Sequence, residues 1–218
     1  MRKKPAVLFD LGDVLVHLHF ERGLSRFVAL AGGAVKLGPD TAGIFIGEKA
    51  LAWARGDLGK EAFFSWITQQ LGAPQVALAD CAAAWCECFD PWPEMEALAA
   101  EVIDAGHPAY LLSNTDPLHF AVIEKQMPIL KRFDGLYLSY QARAVKPELE
   151  FFTGALEKYA LAPADCLFVD DRPPHIDAAR AVGIRSMVHT GDVAAVREFL
   201  VKGGVGLKAD QPAPNVPW

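Results

Sequence analysis

Runs of positive charge are almost absent from this chain. The longest is Arg2-Lys3-Lys4, and 21 Lys and Arg stand against 27 Asp and Glu for a formal charge of -6. Nothing in that pattern grips a nucleic-acid backbone through counterion release, so no nucleic-acid partner is expected. Long apolar runs are missing too. No uninterrupted stretch approaches the roughly 20 residues needed to cross a bilayer, and the segment between Lys4 and Asp10 is too short for a secretory h-region. A cytoplasmic protein with no membrane partner is expected. Cysteine is scarce: Cys81, Cys86 and Cys88 share one helical stretch and Cys166 enters a strand, which is no disulfide framework. Cys86 and Cys88 lack the further thiolates or imidazoles that a zinc site needs, so all four read as buried free thiols. Apolar residues, by contrast, are plentiful. A hydrophobic share of 52% over 218 residues supplies one sizeable core, with room for a smaller second unit, and excludes a disordered binder.

Ala6 to Leu11 form an apolar run broken by Asp10, the pattern of a strand covered on both faces in a parallel sheet, and Gly12 ends it. From about Phe20 to Phe89 the periodicity is helical, with Leu24, Phe27, Val28 and Ala31 on one stripe and Phe63, Phe64, Ile67 and Leu71 on another. Asp90-Pro91-Trp92-Pro93 closes that insert, because each proline disfavours helix at the residue before it. Strands at Ala109–Ser113, Leu136–Tyr140, Cys166–Asp170 and Arg185–His189 then alternate with helices, the last helix running from about Val193 to Val201. The expectation is an α/β fold with a doubly wound, mostly parallel sheet and an inserted helical cap. Residues 1–16 and 91–202 would form the core, 17–90 the cap, and the Gly- and Pro-rich 203–218 a flexible tail.

In open parallel sheets ligands sit beyond the carboxyl ends of the strands, so polar residues there carry the chemistry. Four places supply them: Asp10, Ser113-Asn114-Thr115, Lys146-Pro147 and Asp170-Asp171. Singly each has a plain structural reading, such as a helix cap or a solvated charge. Together they suit phosphoryl transfer. A phosphate dianion repels an attacking carboxylate, and magnesium shared by Asp10 and Asp171 would cancel that repulsion while Lys146 and Ser113 stabilise the equatorial oxygens. Attack by Asp10 would form an aspartyl-phosphate that water then hydrolyses.

The order and spacing of Phe9-Asp10-Leu11-Gly12-Asp13-Val14-Leu15, Leu112-Ser113-Asn114-Thr115, Lys146-Pro147 and Phe168-Val169-Asp170-Asp171 resemble the four motifs of the haloacid dehalogenase-like (HAD) superfamily. The insert resembles the helical cap of its class I branch. The resemblance implies Asp10 as nucleophile and metal ligand, the Gly12 carbonyl and Asp171 as further ligands, and Asp170 as a ligand or its water-holding neighbour. It implies Ser113, Asn114 and Lys146 as the phosphate holders and Mg2+ as the cofactor. The substrate would be a small phosphorylated metabolite; oligomeric state stays open.

One departure matters. Family phosphatases carry a second aspartate two residues after the nucleophile, where this chain has Gly12, and Asp13 reads as a turn residue. Loss of a general acid and base costs about two to four orders of magnitude, so activity is expected to survive where the leaving group needs least help. An anomeric sugar phosphate meets that condition, and the motif is similar to a bacterial subgroup that includes glucose-1-phosphate-type phosphatases. His17 and His19, near the hinge, are weaker candidates as proton donors, and Trp53, Arg55 and Trp66 as cap residues that select substrate. Two rivals remain: a metal-independent haloacid dehalogenase, against which the Asp170-Asp171 pair argues, and a catalytically silent ligand-binding HAD fold.

Overall fold

The computed structural model describes residues 4–33 and 43–207. Strand β1 (Ala6–Phe9) leads into a short β2 (Val16–Leu18), followed by α1 (Phe20–Leu30), α2 (Gly43–Ile46), α3 (Glu48–Ala54), α4 (Lys60–Gln70) and α5 (Leu78–Trp85). The chain returns through β3 (Phe89–Pro91) and then alternates: α6 (Pro93–Asp104), β4 (Ala109–Ser113), α7 (Pro117–Gln126), β5 (Gly135–Leu138). It continues with α8 (Ser139–Ala142), α9 (Leu149–Lys158), β6 (Cys166–Asp170), α10 (Pro173–Ala181), β7 (Arg185–Val188) and α11 (Val193–Lys202). Five strands form one parallel sheet in the order β5-β4-β1-β6-β7, with β1 at its centre. This is the α/β fold expected from the alternating pattern.

Every residue of β1 is buried, because helices cover both faces. Successive side chains point to opposite faces, so Val7 and Phe9 join Met95, Leu98, Phe120 and Leu200 on one side. Ala6 and Leu8 join Phe151, Phe152, Phe168 and Ile176 on the other. Helices α6, α7 and α11 thus build one layer, α9 and α10 the second. Each large apolar side chain so buried contributes roughly 1.5–3 kcal/mol.

The five helices between β2 and β3 pack on the first of these layers, where Trp53 meets Phe63 at 4.2 Å and Trp85 at 5.3 Å between ring centroids. The strands that carry the chain out and back pair antiparallel, Val16 opposite Pro91 and Leu18 opposite Phe89. Exit and return are therefore tied side by side. Among the described residues no helix is long and apolar enough to cross a membrane, and all four cysteines are free thiols.

Three local expectations change. Strand β5 stops at Leu138 instead of reaching Tyr140, because the Ser139 hydroxyl is drawn into hydrogen bonds with the Thr115 backbone and the Ala54 carbonyl, and α8 begins there. Strand β7 ends at Val188, leaving His189 beyond it. The packed chain also runs past residue 202: Val205 is buried, and Gly203 sits so close to Leu167 that a Cβ would meet its Cδ1 at 2.4 Å. The rest of the expected tail, 208–218, lies outside the described residues.

Candidate active site

Asp10 continues the sheet one step past β1, its N–H donating to the Val169 carbonyl at 2.9 Å. The register pairs Phe9 with Val169, so the next residues, Asp10 and Asp170, come level at the carboxyl edge. Lys146 arrives from the loop between α8 and α9, and Asn114 fixes that loop. The Asn114 amide donates to the Lys146 carbonyl at 2.9 Å, and the Lys146 N–H donates back to Asn114 Oδ1 at 2.8 Å. An ammonium has three donors. Those of Lys146 reach Asp10 Oδ1 at 2.7 Å, Asp170 Oδ2 at 2.6 Å and the Leu112 carbonyl at 2.9 Å.

This arrangement refines the expected roles. Lys146 and Asn114 were expected to hold the phosphate; among protein groups the lysine bonds the two carboxylates and the Asn114 amide bonds the lysine's own backbone. Asp170 was expected as a metal ligand or as the water-holding neighbour of one. Its two oxygens instead accept from Lys146, from His175 Nδ1 at 2.9 and 3.0 Å and from the Arg172 N–H at 2.8 Å, in a fully buried setting. Asp170 therefore positions Lys146. Asp10, Asp170 and His175 bring ligand atoms within 4.8 Å of one another, and His175 Nδ1 is hydrogen-bonded to Asp170. Asp171 is the more accessible carboxylate, and Ser113 lies buried at the end of β4.

The electrostatics follow from packing several acids round one cation. Burial pushes the Asp10 carboxyl well above the usual carboxylate range; Lys146 opposes this, while Asp170 and Asp171 add to it. Burial acts the same way on Asp170, but Lys146 and His175 overcome it and hold that carboxyl low. Asp171 rises to about 6 through burial and the nearby Asp170 and Asp13. Burial would deprotonate Lys146, yet Asp10 and Asp170 keep it charged, with its pKa raised. His175 is held low by burial and by Lys146.

Gly12 follows in close contact with the cap hinge, where a Cβ would meet Leu18 Cδ1 at 2.7 Å. Asp13 adopts a left-handed φ of 49° and accepts a hydrogen bond from the Leu18 N–H at 2.9 Å. Its carboxylate fastens the turn instead of standing in for the missing acid. His17 stacks on Trp92 at 4.1 Å, and His19 faces Asp90 at 3.3 Å, so both lie at the junction of cap and core. Trp53 is buried inside the cap, with Trp66 packed against the same cluster. Arg55 reaches across to pair with Glu148, two residues after Lys146.

Residues 4–183 match the haloacid dehalogenase-like hydrolase family. The chain belongs to it. Among curated relatives, this HAD-like hydrolase is 25% identical to the sesquiterpene phosphatase astK of Aspergillus oryzae, over 89% of the chain and 94% of the relative. It is also 25% identical to the D-ribitol-5-phosphate phosphatase of Bacteroides thetaiotaomicron, over 83% and 89%. Among solved structures it resembles the HAD family enzyme bt-2542 of Bacteroides thetaiotaomicron, crystallised with magnesium and inorganic phosphate. The TM-score is 0.75 at 24% identity, covering 87% of this chain and 96% of that one.

Sequence reasoning missed two features of the hydrolase. His175, in the first turn of α10, completes the Asp170 network, and its signal was the spacing of five residues from Asp170. The second is a clamp between cap and core. Asp116 caps α7 by accepting from the Leu118 and His119 N–H groups at 2.9 and 3.1 Å. It also accepts from Trp85 Nε1 of the cap at 2.9 Å, and His119 Nδ1 lies 3.0 Å from the same oxygen. His119 Nε2 meets the Trp85 carbonyl at 2.6 Å and its ring stacks on the indole at 4.7 Å. Burial would lower the His119 pKa, but Asp116 and its hydrogen bonds lift it to about 10, so both ring nitrogens donate at neutral pH. An Asp-Pro helix start followed by a histidine three residues on was the available signal. The clamp borders a cavity of about 120 Å3 that runs from Leu11 and Gly12 past Ser113 to the aromatic side chains of the cap.

Proposed function

We propose that this HAD-like hydrolase is a magnesium-dependent phosphatase of small phosphorylated metabolites that acts through an aspartyl-phosphate on Asp10. The observation that carries the reading is the Lys146 ammonium bonded at once to Asp10 and Asp170 at the carboxyl edge of a parallel sheet. That contact aims one oxygen of Asp10 and leaves its other oxygen for attack on phosphorus. The ester oxygen leaves with the P–O electron pair and takes a proton from water, since Gly12 supplies none. Water then attacks the aspartyl-phosphate, releasing inorganic phosphate and restoring Asp10.

Three acids cluster about one lysine; burial, with smaller contributions from Asp170 and Asp171, raises the Asp10 pKa against the pull of Lys146. The donors fit a hard divalent cation: Asp10, the Gly12 carbonyl and Asp171 are all oxygen ligands, and they would hold Mg2+. Bound there, the cation neutralises charge on the carboxylates and the phosphate. Ser113 would stabilise the phosphoryl oxygens from the neighbouring strand end, and Asn114 keeps Lys146 in place.

The two phosphatase relatives differ in leaving group, a sesquiterpenoid in one name and a polyol in the other. An anomeric sugar phosphate is the class expected from Gly12 and the motif resemblance; the chemistry at Asp10 serves other monoesters as well. The test is phosphate release from a panel of monoesters and haloacids with magnesium or with chelator. Ester hydrolysis should vanish with chelator and fall at least about 10⁴-fold in Asp10→Asn, a nucleophile loss. Haloacid turnover that persists with chelator would instead make the protein a dehalogenase.

A further inference from the structure

The cavity bordered by Gly12 and Ser113 adjoins the strand ends that carry Asp10 and its neighbours, so a leaving group on a phosphate held at Asp10 has space there. Its walls are aromatic and aliphatic: Phe20, Phe45, Trp85 and Phe89 from the cap and hinge, with Leu18 and Ile123. Polar groups also border it, and those of Asn114, Asp116, His119 and the Trp85 indole are engaged with the protein, which leaves the hydroxyls of Ser113 and Thr115 as its remaining polar contribution. Both amide atoms of Asn114 bind the Lys146 backbone. Asp116, His119 and the Trp85 indole N–H bind one another, and the second His119 nitrogen meets the Trp85 carbonyl. A polyol placed here would lose water at several hydroxyls and find few partners in return. An apolar group loses nothing comparable and covers the rings.

Resting on the phosphatase reading, we propose that the preferred substrate is the monophosphate ester of a compact apolar alcohol, not of a sugar or polyol. The size follows from the volume. An apolar cavity of about 150 Å3 accepts a benzene molecule in another protein, so the 120 Å3 here suits a leaving group of roughly five or six carbons. The side chains that set the class are Phe45 and Trp85 of the cap, stacked at 4.8 Å, with Ala54 beside them on the cavity wall.

The experiment measures kcat/KM of the intact protein with magnesium for isopentyl phosphate, a series of longer n-alkyl phosphates and ribitol-5-phosphate. All are primary-alcohol esters, so leaving-group basicity varies little and the cavity wall decides. Acetyl phosphate, whose small acyl group makes little demand on the cavity, serves as reference. Isopentyl phosphate should exceed ribitol-5-phosphate about tenfold or more, the discrimination a hydrophobic pocket gives. The alkyl series should peak near five or six carbons. Ala54→Leu, which fills the cavity from the wall, should lower the isopentyl-to-acetyl ratio about tenfold. If acetyl phosphate is hydrolysed and the polyol ester equals or beats the alkyl esters, the apolar assignment is overturned while the phosphatase reading stands. Should none of the phosphates turn over, both fall. A flat alkyl series in the unaltered protein also overturns the assignment, whether or not the variant folds.

Discussion

Lys146 and His119 are both cations held beneath the cap, and their surroundings differ in one respect. Lys146 touches two carboxylates, with Asp171 close by, so its neighbourhood keeps an excess of negative charge. His119 faces one carboxylate, Asp116, together with a carbonyl, the Cys88 side chain, a stacked indole and the edge-on Phe89 ring. The first cluster is unbalanced and calls for a further cation, as a reacting site does. The second is neutral overall and ties two layers together. Charge balance thus separates the group proposed to serve the chemistry from the group that ties the layers together.

The largest effect should come from the unbalanced cluster. Lys146→Met leaves Asp10 and Asp170 buried with no ammonium between them and should cost about 3–5 kcal/mol in urea unfolding, together with most of the activity. A variant as stable as the parent would show that the carboxylates do not depend on the lysine. For the balanced cluster the expected signature is a pH dependence. The folded pKa of His119, about 10, stands above the ordinary value of 6.5. Its contribution is therefore fully present below about 6.5 and is lost as pH rises through about 10. Urea stability of the parent relative to His119→Gln should shrink across that window, by on the order of 5 kcal/mol at full extent. A constant difference would mean that the imidazole is neutral in the folded protein. Smallest is Trp85→Phe, which keeps a ring against His119 but removes the N–H that reaches Asp116; the expected loss is about 1–2 kcal/mol. A loss as large as that of Lys146→Met would erase the contrast between the clusters.

Much of this was legible before any coordinates. A buried strand broken by one aspartate, a Ser-Asn pair closing the next, a Lys-Pro in a loop and an Asp-Asp pair are local signals, each readable in a few residues. The alternation of strand and helix predicted their common edge. What was not legible was how hydrogen bonds would be shared across long separations. Asn114 and Lys146 are 32 residues apart, and Trp85 and His119 are 34 apart. Asp170 read as a metal ligand because its type and motif allow it; only its three partners show that it holds the lysine.

By itself, then, the order of residues determined the class of fold, the strand ends that bear acids and the reaction they suit, because periodicity and residue type act over a few positions along the chain. Tertiary structure decided which donor meets which acceptor, that His119 carries charge, and that Asn114, Asp116 and His119 at the cavity border are engaged with other protein groups. Those outcomes depend on burial and on distances between segments remote in sequence, and neither is a property of any short stretch of chain.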